Sequence, residues 1–176
     1  MSHRTTPTPA EFERRFRDDI RVGFNWDRFL SEKWPIELVT LVSHPDLCRC
    51  YTPWYVGAVA DEVAYDDPLA APMRLHDVPK AFEILSDERK SDIQEKVDKY
   101  RTETGLIHFA APSYSLPDGD YFILDRNHRL SALALSEKPF EVELWNVRGP
   151  LEEDCLLDLH HWLKDKDEGE LARPDN

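Results

Sequence analysis

The chain has 176 residues, 41% hydrophobic and 32% charged, a composition that suits one folded domain with its own core and argues against wholesale disorder. Lys and Arg total 22 against 35 Asp and Glu, and the resulting net charge of −13 weighs against nucleic acid, which is held largely by cations on phosphate. No apolar run approaches the ~18 residues of a membrane span, MSHRTTPTPAEFERRF has no apolar signal core, and three cysteines are too few for a disulfide scaffold, so a cytoplasmic location is expected.

In chain order, residues 1–7 read as a tail. Thr8-Pro9-Ala10-Glu11 reads as a capping box with proline at the first helical position. Phe12, Phe16 and Ile20 recur at helical spacing, which predicts a helix over 9–20. Trp26, Phe29 and Leu30 predict a second short helix, stopped before Pro35, and IELVTLV (36–42) a strand. Residues 43–72 carry Pro45, Pro53, Pro68 and Pro72 and read as packed loops with a short helix near 56–64. MRLHDV (73–78) suits a strand. Ser86 caps a helix that carries Asp87 and Glu88 in its first turn, Ile93, Val97 and Tyr100 on one face, and Gly105 as its stop.

LIHFAAP (106–112) and YFILD (121–125) read as strands about the turn Pro117-Asp118-Gly119-Asp120. HRLSALAL (128–135) reads as a helix, and FEVELWNV (140–147) alternates with period two. Pro150 is expected to open a last helix with Leu151, Cys155, Leu159 and Trp162 on one face, followed by an acidic tail after Lys164. The fold class is mixed α/β. The division is a helical extension (1–72), a core (73–147), and a C-terminal helix with its tail (148–176).

Residues 121–135 carry the chemistry. A strand ends at Asp125 and a helix follows at once, so Asn127, His128 and Arg129 fall where backbone N–H groups are unpaired and the helix dipole is positive. Such a start is an anion site. Arg129 adds a planar donor fork, His128 moves a proton near neutral pH, and Asp125 suits a hydroxyl or a hydrated Mg²⁺. A plain reading stands beside this one: Asp125 as N-cap, His128 as an exposed first-turn residue, Arg129 as a surface ion-pair partner.

The segment Asp125-Arg126-Asn127-His128-Arg129 resembles the hallmark of the ParB/sulfiredoxin-like superfamily, a strand followed by Asp-Gly-x-His-Arg and a helix of small residues. IQEKVDKYRTETGLIHFAAPSY resembles the preceding helix, glycine stop and strand of that family, so the likeness covers about 73–147. Arg126 stands where the hallmark has glycine. Asn127 stands where sulfiredoxins carry their cysteine, which argues against sulfinic-acid reduction. The separate helical DNA-binding domain of centromere-binding members has no counterpart here.

Members that act as free-serine kinases resemble the chain better. The resemblance implies a nucleotide-binding enzyme, acting by phosphoryl transfer or nucleotide hydrolysis on a small-molecule substrate. ATP or ADP and Mg²⁺ are the implied cofactors. Phosphate would lie on Asn127, Arg129 and Arg126, Asp125 would orient metal or hydroxyl, His128 would contact the phosphoryl group, and Glu83 would act as base, with Glu88 and Asp77 as rivals. The alternatives are a DNA-associated nuclease or partition-type protein, and a noncatalytic nucleotide sensor.

Other residues read more simply. His76, His108 and His128 match no compact metal motif, and the first two are expected as partly buried strand residues. Cys48-Arg49-Cys50 is expected as small side chains in the interior rather than a redox or zinc pair. His160 and His161 are expected to flank Trp162 and Leu163. The aromatics Tyr51, Trp54, Tyr55 and Tyr65 form core or interface, or a lid over residues 125–129.

Overall fold

Thr8 opens helix α1 (Pro9–Phe16) with a reciprocal cap: its hydroxyl accepts from the Glu11 N–H at 3.2 Å, and the Glu11 carboxylate accepts from the Thr8 N–H at 2.7 Å. The computed structural model describes residues 5–163. Helix α1 ends at Phe16, short of the expected residue 20, although Ile20 is still buried. Asn25 caps helix α2 (Trp26–Glu32), and Lys33 closes it in the left-handed conformation.

The sheet is mixed and has seven strands: β1 (Ile36–Leu41), β2 (Cys50–Val56), β3 (Glu62–Val63), β4 (Ala71–Arg74), β5 (Ile107–Ser115), β6 (Tyr121–Ile123) and β7 (Phe140–Val147). The order is β1-β7-β5-β6-β2-β3, with β4 on β2. β5 pairs parallel to β7 and antiparallel to β6, and β2 pairs parallel to β6. Residue 72 falls inside β4, so strands from both sides of it share one sheet.

Three expectations are corrected. Residues 50–56 form strand β2 rather than loop, and residues 57–61 are a turn leading into β3 rather than a helix. MRLHDV is strand only through Arg74; Leu75–Asp77 form a 3-10 turn that runs into helix α4 (Val78–Ala81). Pro150 opens no helix: Phe24 and Leu156 form an isolated bridge, Leu157–Leu159 form a 3-10 turn, and only residues 160–163 begin a helix. The acidic tail after Lys164 lies outside the described residues. A further short helix, α3 (His44–Leu47), precedes β2.

The alternation of the strands divides the interior in two. On one face Tyr121 and Ile123 of β6, with Phe140, Val142 and Leu144 of β7, pack against helix α5 (Asp87–Thr102) and helix α6 (Asn127–Ser136). On the other face Phe122, Leu124 and Val147 join Phe12, Phe16, Phe24, Phe29 and Trp34. Helix α5 forms as the sequence implies, with Ser86 accepting from Arg89 N–H and Ile93, Val97 and Tyr100 buried. No helix among the described residues is long and apolar enough to cross a membrane.

Candidate functional site at the start of helix α6

Strand β6 ends at Ile123, and α6 begins at Asn127. The turn between them is made by Arg126, whose φ of 72° and ψ of 18° put it in the left-handed region. That conformation costs a residue with a Cβ about 1 kcal/mol and costs glycine little. The Arg126 guanidinium bridges two carboxylates, reaching Asp125 Oδ2 at 2.8 Å and Asp19 Oδ2 at 2.7 Å. No side chain caps α6, and its first backbone bond runs from Leu130 N–H to the Arg126 carbonyl at 3.0 Å. The N–H groups of Asn127, His128 and Arg129 precede that bond and form the positive end of the helix dipole.

Asn127 is 7% exposed and donates through Nδ2 to the Ile123 carbonyl at 3.3 Å. Among the described residues its Oδ1 has no partner, and neither has the Ser131 hydroxyl one turn further along the helix. The Asn127 side chain therefore ties the helix to the end of β6.

His128 is half-buried, its ring centroid 5.4 Å from that of Trp54. It lines a cleft of about 230 Å³ with Ser86, Glu88, Arg89 and Asp92. Burial pushes the His128 imidazole below its usual pKa; the Asp92 carboxylate opposes this, and the charges of Arg89 and Lys96 add to it. The ring is thus uncharged at neutral pH and carries a lone pair able to accept a proton. Arg89 lies over the same indole, 4.7 Å from the centroid, and pairs with Glu62 at 2.7 Å. Glu62 also accepts from the Ser86 N–H at 2.8 Å.

Arg129 turns to the other side of α6. It is exposed, 6.0 Å from the Phe109 ring, and lines a cleft of about 310 Å³ with Lys96, Lys99, Tyr100 and His108 among others. Among the described residues Lys96 and Arg129 form no ion pair, whereas Lys99 stands 3.9 Å from Glu103. Three cations, Lys96, Lys99 and Arg129, thus face one cleft together with the carboxylates of Glu95 and Glu103. Lys96 joins the two sides, since it lines the Arg129 cleft and its charge bears on His128.

The expected residues are gathered in part. His128 and Arg129 share the first turn of α6 and line different clefts. Arg126 is occupied by Asp19 and Asp125, so its guanidinium is not free for phosphate. The same pairing neutralises Asp125, which does not fit as a magnesium ligand while Arg126 holds it. Glu83 is exposed on the 3-10 turn Phe82–Ile84 and does not line the His128 cleft, where Glu88 and Asp92 stand instead. Lys96, Lys99, Arg89 and Asp92 are the site residues that sequence reasoning passed over. Their spacing along α5 was visible, but charged residues there also suit a solvated face.

The remaining candidates stay apart. His76 is exposed beside Asp77 on a turn, and His108 is exposed 3.7 Å from Glu141, so neither is a half-buried strand ligand of a shared metal. Cys50 is buried, its thiol pushed up to about 12 by desolvation, and Cys48 and Cys155 are also free thiols. Trp54 is 3% exposed on β2 and forms the wall behind His128 rather than a lid. Among the described residues one acidic group has metal-ligand spacing, Glu152, Asp154 and Cys155, and Arg28 already pairs with Glu152 at 2.7 Å and Asp154 at 2.8 Å.

No protein-family model, no curated protein and no solved structure matches the chain.

Proposed function

We propose that this protein binds a phosphate-bearing small molecule, a nucleotide such as ATP or ADP, at the first turn of α6, and that it transfers or hydrolyses a phosphoryl group there. One observation carries the reading: the uncapped start of α6 has Arg129, Lys96 and Lys99 on one side and His128, half-buried against Trp54, on the other. Backbone N–H groups at a helix start and a guanidinium fork suit phosphate oxygens. The left-handed backbone at Arg126 adds support, because it is the conformation that the glycine of the resembled motif adopts freely.

The division of labour follows from the two clefts. Arg129 and Lys96 hold the phosphate chain by charge and direct donation. His128, kept neutral by burial against Trp54, accepts a proton from an acceptor hydroxyl or water in its own cleft. Asp125 acts indirectly: with Asp19 it fixes Arg126, and Arg126 sets the turn from which the helix starts.

Thermal unfolding with ATP, ADP, CTP and GTP, with and without Mg²⁺, tests the binding. Ligand at about 100 times its dissociation constant stabilises a fold by about 2.7 kcal/mol, or about 5–10 °C for a chain of this size. Arg129→Ala should abolish the shift. His128→Ala should keep the shift and lose product formation. A shift in wild type without product, under conditions that suit turnover, assigns the site to sensing rather than catalysis.

A further inference from the structure

Asp158 has no part in the phosphate site, yet it is the only Asp or Glu among the described residues that is less than a tenth exposed, at 5%. It sits on the 3-10 turn Leu157–Leu159, and the buried hydroxyl of Tyr55 on β2 donates to its Oδ2. Asp158 lines a cavity of about 310 Å³ with Val22, Pro53, Val63 and Leu157, and with the Glu62–Arg89 pair. Arg21 lines the same cavity and is exposed. Arg89 lines both this cavity and the His128 cleft.

The charges at this end are unevenly matched. Glu62 is satisfied by Arg89 and by the Ser86 N–H. Asp158 and Arg21, by contrast, have opposite charges, share one cavity, and form no ion pair among the described residues. A buried carboxylate among apolar walls is costly unless a cation or further donors reach it. Desolvation holds the Asp158 carboxyl above the usual carboxylate range, against the lowering effect of the Tyr55 hydroxyl, its own backbone N–H and the charge of His160. Two residues of opposite charge, one buried and one at the surface, therefore line a cavity at the lower end of small-molecule pocket sizes.

We propose that this cavity binds a small organic zwitterion, with its ammonium end on the Asp158 carboxylate and its anionic end toward Arg21. The apolar walls take the short hydrocarbon between the two charges. An anion alone would leave the buried carboxylate without a counter-charge, and a simple amine would forgo Arg21. The inference stands independently of the phosphate reading, since none of the residues used here contacts the start of α6 as a ligand group.

Calorimetric titration of the full chain with 4-aminobutanoate, glycine, n-butylamine and butanoate, without nucleotide, tests it. The expected order is 4-aminobutanoate or glycine tightest, n-butylamine weaker, and butanoate without measurable binding. Asp158→Asn keeps the shape and an acceptor for Tyr55, and should weaken zwitterion binding at least about tenfold, the effect of losing a buried charge pair. Arg21→Ala lies at the surface, leaves the fold intact, and should weaken the zwitterions while leaving n-butylamine unchanged. Arg129→Ala, which removes nucleotide binding, should change none of these, so loss of nucleotide binding and loss of zwitterion binding are separable. Absence of binding by all four compounds overturns the proposal. So does butanoate binding as tightly as the zwitterions, or a folded Asp158→Asn that binds like wild type. Should Asp158→Asn fail to fold, the ligand order and Arg21→Ala decide alone.

Discussion

The two faces of the sheet are built from different materials. Under α1 and α2, Phe12, Phe16, Phe24, Phe29, Trp34 and Tyr114 interlock with ring centroids 5.1–6.4 Å apart, half of these pairs edge-to-face. Under α5 and α6 the packing is mostly aliphatic, with Trp54, Tyr100, Tyr121 and Phe140 among it, and includes polar groups that no described residue satisfies, the Asn127 Oδ1 and the Ser131 hydroxyl. The open clefts with converging charge lie along α5 and α6. The face under α5 and α6 thus holds unsatisfied groups beside an uncapped helix start.

The contrast breaks most visibly with a large deletion on the aromatic face. Phe29→Ala removes a fully buried ring and should cost about 3–5 kcal/mol in urea unfolding, while the folded fraction binds ADP as wild type does. If nucleotide binding falls in proportion to neither stability nor folded fraction, the two faces are coupled and the division fails.

At the site, backbone and side chain can be separated. Arg126→Ala should lose the bridge to Asp19 and Asp125 and keep the left-handed turn, whereas Arg126→Gly should lose the bridge and relieve the turn. The glycine variant should be the more stable by about 1 kcal/mol by chemical denaturation. Equal stability would mean that the turn carries no strain. On the same face, Ser131→Ala removes a buried hydroxyl that no group satisfies, so its unfolding free energy should be unchanged or raised by up to about 1 kcal/mol.

The smallest effect is in pH. Burial lowers the His128 pKa in the folded state, so the unfolded chain binds more protons over the interval between the folded value and the ordinary histidine value. The contribution of the neutral ring is fully present above the ordinary histidine range and is lost as pH falls through the folded pKa. Stability measured across that interval should decline less steeply in His128→Gln than in wild type. An identical pH profile in both would place the ring in a water-like environment.

Elements with local signals were legible in the sequence. The Thr8–Glu11 box, the Ser86 cap and the alternation of residues 140–147 specify α1, α5 and β7 through contacts only a few residues apart. Strand β2 was not legible, because Pro53 breaks its pattern and its place is fixed by distant pairing: Cys50 with Tyr121, Tyr55 with Val63 and Pro72. The segment after Pro150 reads as a helix by spacing, but the Asn25 N–H reaches the Cys155 carbonyl at 2.9 Å and holds it in a non-helical path. At the candidate site, the strand-to-helix junction from Asp125 to Arg129 could be read from sequence. The tie of Arg126 to Asp19 could not, nor could the approach of Lys96 from α5, since both join residues far apart along the chain.

The central claim concerns three backbone groups, and the most direct measurement observes them. In ¹H–¹⁵N spectra of the full chain titrated with ADP, the amides of Asn127, His128 and Arg129 should shift along saturable curves sharing one dissociation constant. The Lys96 amide should move with them, and the Phe12 and Phe29 amides should stay still. Unchanged amides at 127–129, or saturable shifts confined to another surface, would contradict the account.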